Sequence, residues 1–178
     1  MPVLSLLRHA KSSWDDPVER DFDRPLNKRG HRAARRIGQF LADEKLRFDL
    51  VLASPAVRVR ETIEGVEEGM GAKLNARFDE RIYLASAAML YSLVQETPDD
   101  VGHLLLIGHN PGLEDMALLA TLDKSAALRR EVEEKYPTAT LATLEFPGRR
   151  WAEVDEGRGH FVRFVRPRDL DPSLGPVD

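Results

Sequence analysis

Hydrophobic and polar positions change their period several times along the chain, and the changes cut it into alternating segments. Val3 to Leu7 is a short, nearly continuous apolar run that stops at Arg8, which reads as a strand covered on both faces. Residues 11 to 27 are polar, include Pro17 and Pro25, and read as a loop. From Asn27 the apolar positions Ala33, Ile37, Phe40 and Leu41 recur three and four apart, the spacing of a helix with one buried face. Phe48 to Ala53 is a second strand-length run. Ser54-Pro55 then predicts a helix start, with Ser54 as N-cap and Pro55 at the first helical position, and Gly69-Met70-Gly71 predicts its end.

Ser86 to Gln95 carries Met89, Leu90, Leu93 and Val94 at helical spacing. His103 to Ile107 is a third apolar strand, Gly108-His109-Asn110-Pro111-Gly112 a turn, and Leu113 to Leu122 a further helix. Thr138 to Phe146 and His160 to Val165 read as strands. The tail from about Arg166, with Pro167, Pro172 and Pro176, is expected to be extended. Strands alternating with helices predict an α/β fold, a three-layer αβα sandwich with a mainly parallel sheet and a closing strand pair that can supply an antiparallel edge. The 178 residues suit a single domain over 1–178.

Composition narrows the chemistry. The chain has no cysteine, which removes disulfides, thiolate metal sites and cysteine nucleophiles, and is compatible with a reducing cytoplasm, the expected location. A net charge of −4 argues against a general nucleic-acid binder. No stretch approaches a membrane span or a secretory leader, so no membrane partner is expected.

Three of the strands end in chemically similar residues: Arg8-His9, then Ser54-Pro55 with Arg58 on the following first turn, then Gly108-His109-Asn110. In open α/β sheets the ligand crevice lies beyond the carboxyl ends of the strands. If the three strands are parallel, two arginines and two histidines meet there. Guanidinium forks match phosphate oxygens, and helix N-termini add N–H groups and a favourable dipole. A histidine among arginines is pushed toward its neutral form and keeps a lone pair that can attack phosphorus.

At these residues the chain resembles the histidine phosphatase superfamily, also called phosphoglycerate mutase-like, and within it the small phosphohistidine phosphatases of SixA type. The resemblance rests on Leu7-Arg8-His9-Ala10-Lys11-Ser12-Ser13-Trp14, Arg24-Pro25-Leu26-Asn27-Lys28-Arg29-Gly30, Ser54-Pro55-Ala56-Val57-Arg58 followed by Glu61-Thr62, and Gly108-His109-Asn110-Pro111-Gly112. It implies the phosphoglycerate mutase-like fold and a metal-independent, cofactor-free phosphatase. His9 would be the nucleophile, Arg8 and Arg58 would hold phosphate, and His109 would share that task and stabilise the transition state. Ala10 departs from the glycine usual in the wider superfamily, and Lys11 and Asp15 from the glutamate and asparagine usual in the mutases, which turns the resemblance away from a sugar-phosphate mutase.

Many members of the superfamily carry a glutamate acid between the second and third strands, and Glu80 stands in that region. An alkoxide leaving group needs such a donor. A protonated imidazole leaves without one, so the lack of an acid would favour phosphohistidine. Asn110 is a second candidate for substrate contact, against its plainer reading as a turn residue. The expected partner is a phosphorylated protein bearing phosphohistidine, with a small phosphorylated metabolite as the alternative and a non-catalytic phospho-ligand module as a third reading. The short chain leaves little room for a lid, which favours an open site. His31, His103 and His160 read as structural, and no metal is expected because the histidines lack a third ligand at useful spacing. Lys28, Arg29, Arg32, Arg35 and Arg36 read as a solvated helix face, with docking of an acidic protein as the alternative. Trp14 can wall the pocket or simply pack.

Overall fold

The computed structural model describes residues 1–176. Six strands, β1 (Val3–Arg8), β2 (Leu50–Ala53), β3 (Arg77–Phe78), β4 (His103–Gly108), β5 (Leu141–Glu145) and β6 (His160–Val165), form one sheet in the order β3-β2-β4-β1-β5-β6. Strands β1 to β4 are mutually parallel, β5 is antiparallel to β1, and β6 is antiparallel to β5. Helices α1 (Lys28–Asp43), α2 (Val57–Met70) and α6 (Pro167–Leu170) cover one face. Helices α3 (Ala87–Gln95), α4 (Gly112–Leu119) and α5 (Ala127–Glu134) cover the other. The result is the three-layer sandwich that the alternation predicts.

The layers follow from handedness. The steps β1 to β2 and β2 to β3 move in one direction along the sheet, so right-handed crossovers put α1 and α2 on the same face. The step β3 to β4 moves back, which sends α3 to the opposite face. Because both faces are covered, β4 reads as unbroken apolar sequence: Leu104 and Leu106 enter the α3–α5 core while Leu105 and Ile107 enter the α1–α2 core. Buried Ser5 of β1 is satisfied by hydrogen bonds of 2.8 Å with Thr143 Oγ1 and 2.8 Å with His103 Nε2. Helix α1 starts where the pattern places it, with the Asn27 side chain accepting from Gly30 N at 2.8 Å. Gly30 is required there, since a Cβ would lie 2.1 Å from the Lys11 carbonyl oxygen.

Four expectations need correction. Helix α2 starts at Val57 with Ala56 as N-cap, because the Ser54 side chain is engaged elsewhere. Helix α4 ends at Leu119 rather than Leu122. Strand β5 begins at Leu141 rather than Thr138, because Ala139 adopts a left-handed φ of 55° and turns the chain across β1. The tail is not extended: α6 and a 3-10 turn at Pro172–Leu174 dock against α1, Leu174 is buried, and Arg32 donates to Ser173 Oγ at 3.0 Å. Pro167 and Pro172, two of the prolines that suggested extension, stand in the first turns of these helices, where a missing N–H costs nothing. Helix α5 and the short β3 have no counterpart in the sequence reading; α5 carries only Leu128 and Val132 as inward apolar residues among charges.

Candidate active site

Strands β1 and β4 are neighbours, and the chain leaves them toward opposite faces, into α1 and α4, so a crevice opens between their carboxyl ends. Their register pairs Arg8 with Gly108, so the next residue of each strand, His9 and His109, stands side by side. The two rings lie 5.3 Å apart between centroids, tilted by 55°. Strand β2 pairs with β4 so that Ser54 follows Ala53 at the same edge, and Arg58 enters from the first turn of α2. The structure thus gathers Arg8, His9, Arg58, His109 and Asn110 around one cavity of about 700 Å³. It does not bring Glu80 there: that residue is exposed on a 3-10 turn at Glu80–Ile82 and is absent from the cavity wall.

The backbone that carries His9 is clamped. His9 N donates to Gly108 O at 3.1 Å, and Ala139 N donates to the carbonyls of both Arg8 (3.1 Å) and His9 (3.0 Å). Ala10 N donates to Thr62 Oγ1 at 2.9 Å, whose hydroxyl in turn donates to Arg58 O at 2.6 Å, tying the histidine loop to the arginine helix.

His9 Nδ1 lies 2.7 Å from the carbonyl of Ala10. A carbonyl only accepts, so Nδ1 carries the proton and the unprotonated lone pair is on Nε2. Burial, reinforced by His109, Arg58 and Arg8, holds the His9 pKa down near 3, against the weaker upward pull of that carbonyl. His109 is likewise depressed to about 3, by burial first and Arg58 next. Both imidazoles are therefore neutral at pH values where an ordinary histidine would be half protonated. His109 Nε2 is 2.8 Å from Ser54 Oγ, and that oxygen already accepts from Ala56 N at 3.3 Å. The Ser54 hydroxyl can donate its proton to His109 Nε2, and in that tautomer Nδ1 carries the N–H. Nδ1 is buried with no partner among the described residues, and Arg8 Nε and Arg58 Nε share that condition. Unpaired buried donors of this kind cost about 1–3 kcal/mol each.

Arg58 is 2 % exposed and grips Asp21, through NH1 to the carbonyl (2.9 Å) and NH2 to Oδ2 (3.0 Å). Asp21 also accepts from Tyr83 O–H at 2.7 Å and from Arg24. These partners, Tyr83 foremost, lower its pKa to about 2, although its side chain is 43 % exposed. Arg8 NH1 donates to Tyr136 O at 2.9 Å. Asn110 borders the cavity, but its amide is committed, donating to the same carbonyl (3.1 Å) and accepting from Glu114 N (3.3 Å). Trp14 is exposed at the mouth, with the Arg24 guanidinium 3.7 Å from its ring centroid. Arg29 borders the cavity, while Arg35 of the same helix pairs outward with Glu68.

Sequence reading missed Asp21, Tyr83 and Tyr136, gave Arg24 no role beyond its place in a motif, and gave Ser54 the wrong task. Asp21 sits in an aperiodic polar loop, where nothing local marks a residue that reaches a strand end. The wall formed by Arg166, Pro167, Arg168, Leu174 and Pro176 was also hidden, because it exists only once the tail docks. Among the described residues no group of three potential ligands is gathered for a metal ion, and no helix is long and apolar enough to cross a membrane.

Paired neutral histidines among guanidiniums, at the strand ends of an αβα sandwich, give a cationic cavity with an unprotonated ring nitrogen beside it. The chain belongs to the histidine phosphatase superfamily (branch 1), whose model matches residues 4–142. It is 36% identical over 164 residues to an uncharacterized protein of Mycobacterium tuberculosis, covering 91% of this chain and all of that one. A protein of Agrobacterium tumefaciens assigned as the phosphohistidine phosphatase SixA superposes with a TM-score of 0.76 at 32% identity, over 94% of this chain and 99% of that one. A phosphoserine phosphatase mutant of Entamoeba histolytica shares the fold alone, with a TM-score of 0.63 at 15% identity over 96% of this chain and all of that one. The fold therefore leaves the leaving group open.

Proposed function

We propose that this phosphatase works without a metal, through a covalent phosphohistidine on His9, and that the bond it is suited to break is the P–N bond of phosphohistidine. The observation that carries the reading is the pairing of a His9 lone pair on Nε2, imposed by the Ala10 carbonyl, with a cavity wall whose one carboxylate among the described residues is Asp21. In the first step Nε2 bonds to phosphorus and the P–N bond of the substrate breaks. The electron pair goes to the leaving imidazole, which departs neutral because the substrate ring enters with its second nitrogen protonated by solvent. In the second step water attacks phosphorus, the P–Nε2 bond breaks, and inorganic phosphate leaves with His9 neutral again. Arg8, Arg58 and His109 Nδ1–H hold the phosphoryl oxygens as charge shifts onto them.

A proton donor is what this cavity lacks. Asp21 is held as a carboxylate by Tyr83, Arg58 and Arg24, and Glu80 stands outside. An alkoxide would have to leave unprotonated, whereas imidazole does not. A small phosphomonoester is the competing substrate, and the cavity volume, within the roughly 300–1,000 Å³ that whole small ligands occupy, is what favours it. Brief exposure to phosphohistidine carrying labelled phosphorus, followed by acid and base treatment, tests the first claim: acid-labile, base-stable label absent from His9→Ala is expected. Comparing kcat/KM for phosphohistidine and for alkyl phosphates tests the second. Equal values would sink the P–N assignment.

A further inference from the structure

The cavity is far more cationic than one phosphoryl group requires. Eight arginines and lysines line it against the single carboxylate of Asp21, in a chain whose net charge is −4. Arg8 and Arg58 serve the phosphate position. Arg24 is held by Asp21 and by Ser12. Arg166 is neutralised by Asp169 and Glu131. Four cations remain, and none forms an ion pair among the described residues: Lys11 after β1, Arg29 in the first turn of α1, Lys135 closing α5, and Arg168 in α6. They come from four separate segments, so no single amphipathic helix face explains their meeting. Like charges collected without counter-charges repel one another, and ordinary surfaces intersperse the two signs.

We infer that this rim is a second anion-binding subsite, and that it receives Asp or Glu side chains flanking the phosphohistidine of an acidic protein segment. The inference rests on the P–N reading above and adds what surrounds the reacting group. The phosphoryl group takes the deep end, between the histidines. The flanking carboxylates then meet Lys11, Arg29, Lys135 and Arg168 at the mouth, where the exposed Trp14 and Leu84 offer apolar surface to the segment itself. Positive potential focused at one mouth of a negative protein also steers acidic substrates in and deters basic ones.

The test uses two phosphohistidine peptides, identical except that one carries glutamates around the phosphohistidine and the other glutamines, with phosphoramidate as a substrate that has no flanks. Exposed ion pairs contribute modestly one by one, so the acidic peptide is expected to have kcat/KM higher by on the order of tenfold when several act together. That advantage should shrink as salt is raised, because exposed charges are screened over roughly 10 Å at about 0.1 M. Lys135→Glu and Arg168→Glu, on different elements, should each collapse the ratio between the peptides, while Arg130→Glu, on the same helix as Lys135 but outside the cavity, should leave it intact. Equal kcat/KM for the two wild-type peptides overturns the inference, as does a ratio that survives both reversals. If phosphoramidate is hydrolysed but the peptides are treated alike, the subsite fails and the P–N reading stands. If neither phosphoramidate nor peptide is hydrolysed, both fall.

Discussion

Acidification should unfold this protein through its two central histidines, and by an amount that follows from their burial. In the unfolded chain an imidazole takes a proton near its ordinary 6.5, whereas folded His9 and His109 resist until about 3. Between those values the unfolded state binds more protons than the folded one, so stability rises with pH in that window and is lost as pH falls. Going from about pH 7 to about pH 5 should cost roughly 2 kcal/mol per histidine, and roughly 4 kcal/mol for both. That is a large fraction of the roughly 5–15 kcal/mol that holds a domain together. Asp21 contributes in the same direction but lower down, between its ordinary 3.8 and about 2. His103, also lowered by burial, adds a further loss of the same sign. Urea unfolding of the wild type and of His9→Asn at the two pH values separates the terms, because the contributions of His103 and the carboxylates cancel in the difference. Asparagine keeps a donor toward the Ala10 carbonyl and removes the titrating ring. Burial leads the causes at both histidines, so His109 keeps most of its shift in the variant. The variant should lose about 2 kcal/mol less on acidification than the wild type. Identical pH dependence in the two proteins would refute the claim that His9 is held neutral by the fold.

Other consequences are more local. Arg58→Ala should lower kcat/KM by roughly 10²–10³ with the circular dichroism spectrum preserved, and Arg58→Lys should recover only part, since an ammonium cannot fork across two oxygens. Ser54→Ala leaves His109 Nε2 buried without its partner. A stability loss of about 1–3 kcal/mol is expected in urea titration, and ¹⁵N shifts should show His109 no longer confined to the Nδ1–H tautomer. Glu80→Gln should leave turnover of alkyl, aryl and phosphohistidine substrates unchanged; a selective loss on alkyl esters would restore it as the acid. Leu174→Ala should cost about 2 kcal/mol, at the low end for a buried leucine because the site is peripheral, and should raise KM because Leu174 is also cavity wall.

Much of this molecule was determined by local sequence. Continuous apolar runs of strand length set β1, β2 and β4, and the three-four spacing after Asn27 set α1 with its cap. Strand ends carrying Arg8-His9, Arg58 and Gly108-His109 then meet around one cavity, because parallel strands must deliver their carboxyl ends to one edge. Those inferences succeed where a residue's environment is set by neighbours within one element. Tertiary structure alone decided the rest. Ser54 looks like a helix cap until β2 and β4 lie side by side and its hydroxyl finds His109. Asp21 becomes the partner of Arg58 only when an aperiodic loop folds over α2. The prolines of the tail read as breaks, yet docking on α1 makes residues 166–168 and 174–176 part of the cavity wall and puts Arg168 on the same cavity as Lys135. In each case the deciding partner lies far away in sequence, and no local periodicity encodes a contact whose reward appears only after the chain has closed.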